Sequence, residues 1–198
     1  MFTIKELDNV TFSFQELLDY YAIIKEQHQD LKWVPNFESQ FTGHAWAIHT
    51  KLADITIPCA PLHLPPEWVP PSPTDNNQFD TPTKLLFGFA EKCINAFPCA
   101  RQASITVHNP GSIIDAHIDK EIYCDEEYFK IHIPITGNDQ SYFIFDNERF
   151  VLTPGKIYLV NTSLMHSTNN LGSTDRAHLI FKVPVSKVPE ILATNISF

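Results

Sequence analysis

His117 and Asp119 stand two residues apart in the alternating segment SIIDAHID. On a strand, residues i and i+2 point to the same face, so one imidazole and one carboxylate can meet a single ion there. His166, on a later short strand, can bring a second imidazole. Two imidazoles and one carboxylate leave other coordination positions open, which is the donor set of a non-haem Fe(II) oxygenase centre. The same His-x-Asp spacing also suits a buried, hydrogen-bonded pair with no metal. A second such pair, His28-Gln-Asp30, falls in a helical pattern. Its side chains would project about 200° apart around the helix and cannot converge.

Arg176 follows His166 by ten residues and opens the last long apolar run, RAHLIFKV, sharing a strand face with His178 and Ile180. A guanidinium turned inward needs an anion, because an unpaired buried charge is expensive. A dicarboxylate oxo acid would supply one: its oxo-acid end chelates the metal, and its far carboxylate meets the planar fork of the arginine. An exposed charge at a strand start is the plainer alternative.

These residues need strands to carry them. From Arg101 to Val183 the chain reads as eight short runs: ASITVHN, SIIDAHID, YFKIHIPI, SYFIFD, RFVLT, KIYLVN, LMHSTN and RAHLIFKV. Asn-Pro-Gly, Thr-Gly-Asn, Asp-Asn and Pro-Gly separate them, and such a series predicts a barrel or jelly roll. Before it, Ser13-Phe-Gln-Glu16 is a capping box that opens a helix through about Gln29. Phe14, Leu17, Leu18, Tyr21 and Ile24 give that helix its apolar face. GHAWAIHT (43–50) is strand-like. Residues 58–82 hold eight prolines and read as a loop, with Trp68 near its centre. Thr81-Pro82 reads as an N-cap and first turn of a second helix running to about Phe97. The expectation is a single domain over 1–198, mainly β with N-terminal helices: 1–100 as helical support on the substrate side, 101–185 as the β core.

The chain has 198 residues, 43% hydrophobic and 19% charged, with a net charge of −9. One full core fits that length. The acidic balance excludes a non-specific nucleic-acid binder, since phosphates require clustered Lys and Arg. The aromatics of SYFIFDNERF therefore read as barrel packing. No run approaches the roughly 18 apolar residues of a membrane span, and the first residues lack the pattern of a signal peptide. The four cysteines, 59, 93, 99 and 124, form no CxxC pair. Reduced thiols and a cytoplasmic protein are expected.

From Thr106 to Val183 the chain resembles the aspartyl/asparaginyl β-hydroxylase family, which includes free-proline hydroxylases. TVHNPGSIIDAHID is similar to the family's strand, Pro-Gly turn and first metal histidine. YFKIHIPI matches a strand where a basic residue and a histidine alternate toward the site. PGKIYLVNTSLMHSTNNLGSTDRAHLIFKV matches its glycine turn, second metal histidine and the arginine ten residues on. The resemblance implies a double-stranded β-helix, the cupin-like jelly roll, with Fe(II), 2-oxoglutarate and O2, and with hydroxylation of an amino-acid side chain. It also implies that Thr106, Lys130 and His132 help Arg176 hold 2-oxoglutarate. The family usually has arginine where this chain has Lys130, so a point charge replaces a fork. Some members lack the metal carboxylate; this chain has Asp119, as free-proline hydroxylases do, and shares their Arg-x-His start of the last strand (Arg176-Ala-His178). The substrate expected is a free amino acid such as proline. Trp46, Trp68 and His178 are its expected contacts. A peptide Asp, Asn or Pro or a lipid acyl group would be the alternative substrate within the class. Outside it stand a cupin-type metal isomerase or hydrolase and a non-catalytic metal-binding barrel.

Overall fold

The computed structural model describes residues 2–32, 40–50, 81–97, 100–119 and 127–198. The eight runs each carry a strand. They are β6 (Arg101–His108), β7 (Ser112–His117), β8 (Tyr128–Thr136), β9 (Ser141–Phe145), β10 (Glu148–Phe150), β11 (Tyr158–Val160), β12 (His166–Asn170) and β13 (Arg176–Pro184). Five short strands precede them: β1 (Ile4–Glu6), β2 (Val10–Thr11), β3 (Gly43–Ala47), β4 (His49–Thr50) and β5 (Thr81–Pro82). The helices are α1 (Phe14–Gln27), α2 (Gly88–Ala96) and α3 (Val188–Ala193), and β14 (Ile196–Ser197) closes the chain against β2.

Two mostly antiparallel sheets form the jelly roll. One has six strands in the order β1-β11-β8-β13-β6-β3, the other four in the order β10-β9-β12-β7. The first half of the chain is thus not only helical support: β1 and β3 are the two edges of the larger sheet. GHAWAIHT reaches that edge because β3 runs antiparallel to β6, with Gly43 opposite His108 and Trp46 opposite Ile105. Tight turns set the order. Asp146 and Asn147 both take positive φ, 47° and 66°, which fits a two-residue hairpin between β9 and β10. Gly111, at φ 81°, turns the chain from β6 in one sheet to β7 in the other.

Alternation along the larger sheet divides its residues. Ile105 and Val107, Ile131, Ile133 and Ile135, and Leu179, Phe181 and Val183 point outward and are buried with Leu17, Tyr20, Ile24, Phe89 and Phe97 from the helical side. The intervening positions face the smaller sheet. A second, smaller cluster, Phe143, Phe145, Leu152, Tyr158 and Val160, lies between the sheets.

Ser13 caps α1 by accepting from the Glu16 N–H, 3.3 Å. The Glu16 carboxylate, expected to reach back, is instead at 2.6 Å from Lys92 on α2. The second helix also starts later than its sequence suggests. Thr81 and Pro82 pair with Thr50 and His49 as β5. Thr83 then forms a turn, accepting from Leu85 N–H (3.1 Å) and Leu86 N–H (3.0 Å). Strand pairing and this turn take the place of the first helical turn. Most of the proline-rich loop, with Trp68, lies outside the described residues, as do Cys59, Cys99 and Cys124; Cys93 is a buried free thiol. No helix among the described residues is long and apolar enough to cross a membrane.

Candidate metal centre and active site

The smaller sheet brings the two histidines together. β7 and β12 are antiparallel, His117 faces His166 across the pair, and the ring centroids are 4.3 Å apart. β7 ends at His117, so Asp119 is not on the strand; its backbone N–H donates to Thr162 O at 3.0 Å, which turns the carboxylate back toward the histidines. His117 Nε2 lies 3.6 Å from Asp119 Oδ1, and His166 Nε2 lies 3.7 Å from Oδ2. One ligand atom from each of the three residues lies within 4.8 Å of the others.

Both rings are held in the tautomer a metal requires. His117 Nδ1 is 2.7 Å from Asp115 O, and His166 Nδ1 is 2.9 Å from Leu164 O. A carbonyl oxygen only accepts, so each Nδ1 carries the proton and each Nε2 keeps its lone pair for the ion. Burial, opposed by the Asp119 charge, lowers His166 to about 4, so its ring is neutral at physiological pH. Burial alone would raise Asp119, but the Lys130 charge and hydrogen bond, with the imidazoles, hold it well below the usual carboxylate range. These donors fit Fe(II): two imidazole Nε2 atoms and an ionised carboxylate.

Lys130 projects from β8 of the larger sheet and donates to Asp119 Oδ2 at 2.5 Å, joining the two sheets at the metal end. Deeper in, the same face carries Thr106, His108, His132, Arg176 and His178. Arg176 is 2% exposed, and its Nη2 has no hydrogen-bond partner. Burial lowers its guanidinium to about 9, so it stays charged. It lies over the Phe143 ring, 5.0 Å from the centroid. Phe143 also meets His132 edge-on at 5.2 Å and lies 6.3 Å from His166, so its ring neighbours both the arginine and the metal end. His132 Nδ1 and His178 Nδ1 are 3.3 Å apart, and one must donate to the other. Burial, then the Arg176 charge, keeps both rings neutral. His132 Nε2 is buried without a partner.

The structure therefore brings together His117, Asp119, His166, Lys130, His132, Arg176 and His178, with Thr106 directly opposite His178 on β6. Trp46 is elsewhere. Its ring is buried on the helical side of the sheet, edge-on to Tyr21 at 6.3 Å, and its Nε1 donates to His28 O at 2.9 Å. Strand parity explains this: Trp46 is opposite Ile105, an outward residue, so it cannot face the interior. His108 and Thr168 were missed. Both are buried inner-face residues with an unpartnered polar atom, His108 Nδ1 and Thr168 Oγ1. Their parity with Thr106 and with His166 was the available signal.

A family model described as aspartyl/asparaginyl beta-hydroxylase matches residues 76–185. No curated protein sequence matches the chain. Among solved structures, the chain is similar to the viral collagen prolyl hydroxylase vCPH of Paramecium bursaria Chlorella virus-1, in its 2OG complex. That likeness covers 92% of this chain and 96% of that one, at 8% identity and a TM-score of 0.51. An oxidoreductase of the 2OG-Fe(II) oxygenase family from Burkholderia pseudomallei covers 86% of this chain and 90% of its own, at 13% identity and a TM-score of 0.42. A predicted oxalate decarboxylase from Thermotoga maritima covers 43% of this chain and 68% of its own, at 22% identity and a TM-score of 0.35. At these identities the vCPH likeness speaks for the jelly-roll fold alone.

Proposed function

The chain belongs to the aspartyl/asparaginyl β-hydroxylase family, and on that premise we propose that His117, Asp119 and His166 hold Fe(II) while Arg176 grips the far carboxylate of 2-oxoglutarate. The protein is then a 2-oxoglutarate-dependent dioxygenase that hydroxylates an amino-acid side chain. One observation carries the reading: two histidines with free Nε2 atoms share a carboxylate on one sheet, and a buried arginine with an unpartnered Nη2 stands on the facing sheet. A metal isomerase or a passive metal-binding barrel has no use for that arginine.

Iron, 2-oxoglutarate and O2 together supply the oxidising power: one oxygen atom enters the substrate C–H bond, the other enters succinate, and CO2 leaves. The chain's own residues set the conditions. The Nδ1 contacts to Asp115 O and Leu164 O fix both imidazole planes. Lys130 fixes Asp119 from the other sheet. Arg176 and Thr106 orient the oxo acid, and His132 Nε2 offers it a further polar contact. Phe143 and Phe145, both buried, keep water from the interior between the two ends. With His132 and His178 neutral, Arg176 brings a full positive charge to this part of the inner face, which suits a carboxylate.

The substrate is read as a free amino acid such as proline. Asp119 and the Arg176-Ala-His178 start of β13 support this, as the two features shared with free-proline hydroxylases. The test is to incubate the protein with Fe(II), 2-oxoglutarate and O2 against the standard free amino acids and short Asp-, Asn- and Pro-containing peptides. Succinate should form together with a product heavier by one oxygen atom from a free amino acid. Product from a peptide alone would move the substrate assignment, and no succinate with any candidate would count against the oxygenase itself.

A further inference from the structure

On the inner face of the larger sheet, β6 and β13 make a square of four polar residues. His108 is directly opposite Arg176, and Thr106 is directly opposite His178. Directly opposed side chains on a sheet start about 4.5–5.5 Å apart, and diagonal ones are still within reach of long side chains. Thr106 and Arg176 form one diagonal, so any group that touches both lies over the square and beside His108.

His108 is prepared for such a group. It is 3% exposed, and its Nδ1 has no hydrogen-bond partner. The Phe41 ring meets it edge-on at 5.1 Å. The backbone beneath it is tied to the smaller sheet, because Asn170 Nδ2 donates to His108 O at 2.8 Å. Arg176 Nη2, on the opposed residue, is unpartnered too. The two nitrogens do not satisfy each other. A guanidinium only donates, so two buried neighbours left open are best met by one shared acceptor. Burial first, then the Arg176 charge, keeps the His108 ring neutral. It can therefore add a donor without adding a second buried positive charge.

We infer that His108 donates a hydrogen bond to the far carboxylate of the oxo acid, beside Arg176, and so takes part in selecting a dicarboxylate. This rests on the proposed role of Arg176. The experiment measures binding of 2-oxoglutarate and of pyruvate to the Mn(II)-loaded protein, by calorimetry without O2, in wild type, His108→Ala and His108→Gln. Pyruvate keeps the chelating end and lacks the far carboxylate. His108→Ala should weaken 2-oxoglutarate about 10- to 100-fold, the worth of one hydrogen bond to a charged group, and leave pyruvate unchanged. His108→Gln, which retains an N–H donor, should recover most of the loss. Equal 2-oxoglutarate affinity in wild type and His108→Ala overturns the inference, as does an equal loss for both acids. If wild type binds 2-oxoglutarate no better than pyruvate, the Arg176 reading itself has failed and this inference goes with it.

Discussion

The two faces of the six-stranded sheet are built from the same strands and do opposite work. Along β8, Ile131, Ile133 and Ile135 face the helices, while Lys130 and His132 face the other sheet. Along β13, Ala177, Leu179, Phe181 and Val183 alternate with Arg176 and His178 in the same way. The outer face is packed hydrocarbon and carries the fold. The inner face is equally buried but holds unpartnered nitrogens of His108, His132 and Arg176. Buried polar groups without partners destabilise a fold by about 1–3 kcal/mol each. Among the described residues the helical side leaves one such atom, His28 Nδ1, so the inner face, where they gather, is the face suited to a ligand.

Substitutions should separate the faces. The largest effect belongs to the proposed metal ligands: His117→Ala or His166→Ala should abolish 2-oxoglutarate turnover and weaken Fe(II) binding while the circular dichroism stays native. Wild-type succinate production by either variant, with iron added, would remove it from the ligand set. Next is the outer face. Phe181→Ala deletes a fully buried ring that meets Phe97 at 5.1 Å and should cost about 3–5 kcal/mol in urea unfolding. Metal-dependent 2-oxoglutarate affinity of the molecules still folded should not change. If affinity falls in step with stability, the two faces are not independent.

A smaller effect concerns the bridge between the sheets. Lys130→Met and Asp119→Ala should be non-additive in metal affinity by about 0.5–3 kcal/mol, because Lys130 acts through the carboxylate it holds. Additive losses would mean that Lys130 has another partner. The smallest is a pH effect on the metal-free protein. The neutral rings of His108, His132 and His178 have pKa values well below the ordinary histidine value of 6.5, through burial first and the Arg176 charge second. The unfolded chain therefore binds more protons than the fold below that value. Stability should be full above about pH 6.5 and decline as pH falls, by up to about 1.4 kcal/mol per pH unit for each such ring. Denaturation midpoints that stay level from pH 7 to 5 would show that these rings protonate in the fold as easily as outside it.

Much of the inner face was legible because a strand alternates with a period of two. His117 and Arg176 could be aimed inward from their neighbours alone, and the eight strands follow from the turns between them. Asp119, beyond the end of β7, is turned back by its backbone bond to Thr162 O, which alternation does not encode. Other features depend on pairing between distant segments. Trp46 looked available until β3 was set against β6, which fixes its parity and sends it to the helical core. His108 lies inside the strand run ASITVHN and shares parity with Thr106, but only the pairing of β6 with β13 sets it opposite Arg176. The start of α2 moved from Thr81 to Gly88 because β4, from an earlier segment, captures Thr81 and Pro82. The Lys130–Asp119 contact crosses between sheets, and no local pattern encodes it.

The central claim is that the buried guanidinium on the inner face is there for a dicarboxylate. It is tested most directly by titrating 2-oxoglutarate into metal-loaded Arg176→Ala and wild type, with metal affinity measured separately. Leaving a buried carboxylate without its charged partner costs about 2–5 kcal/mol, so the variant should bind 2-oxoglutarate roughly 30- to 3,000-fold more weakly. Its metal affinity should match wild type, because Arg176 is not among the ligands. Arg176→Ala that binds 2-oxoglutarate as tightly as wild type would contradict the account.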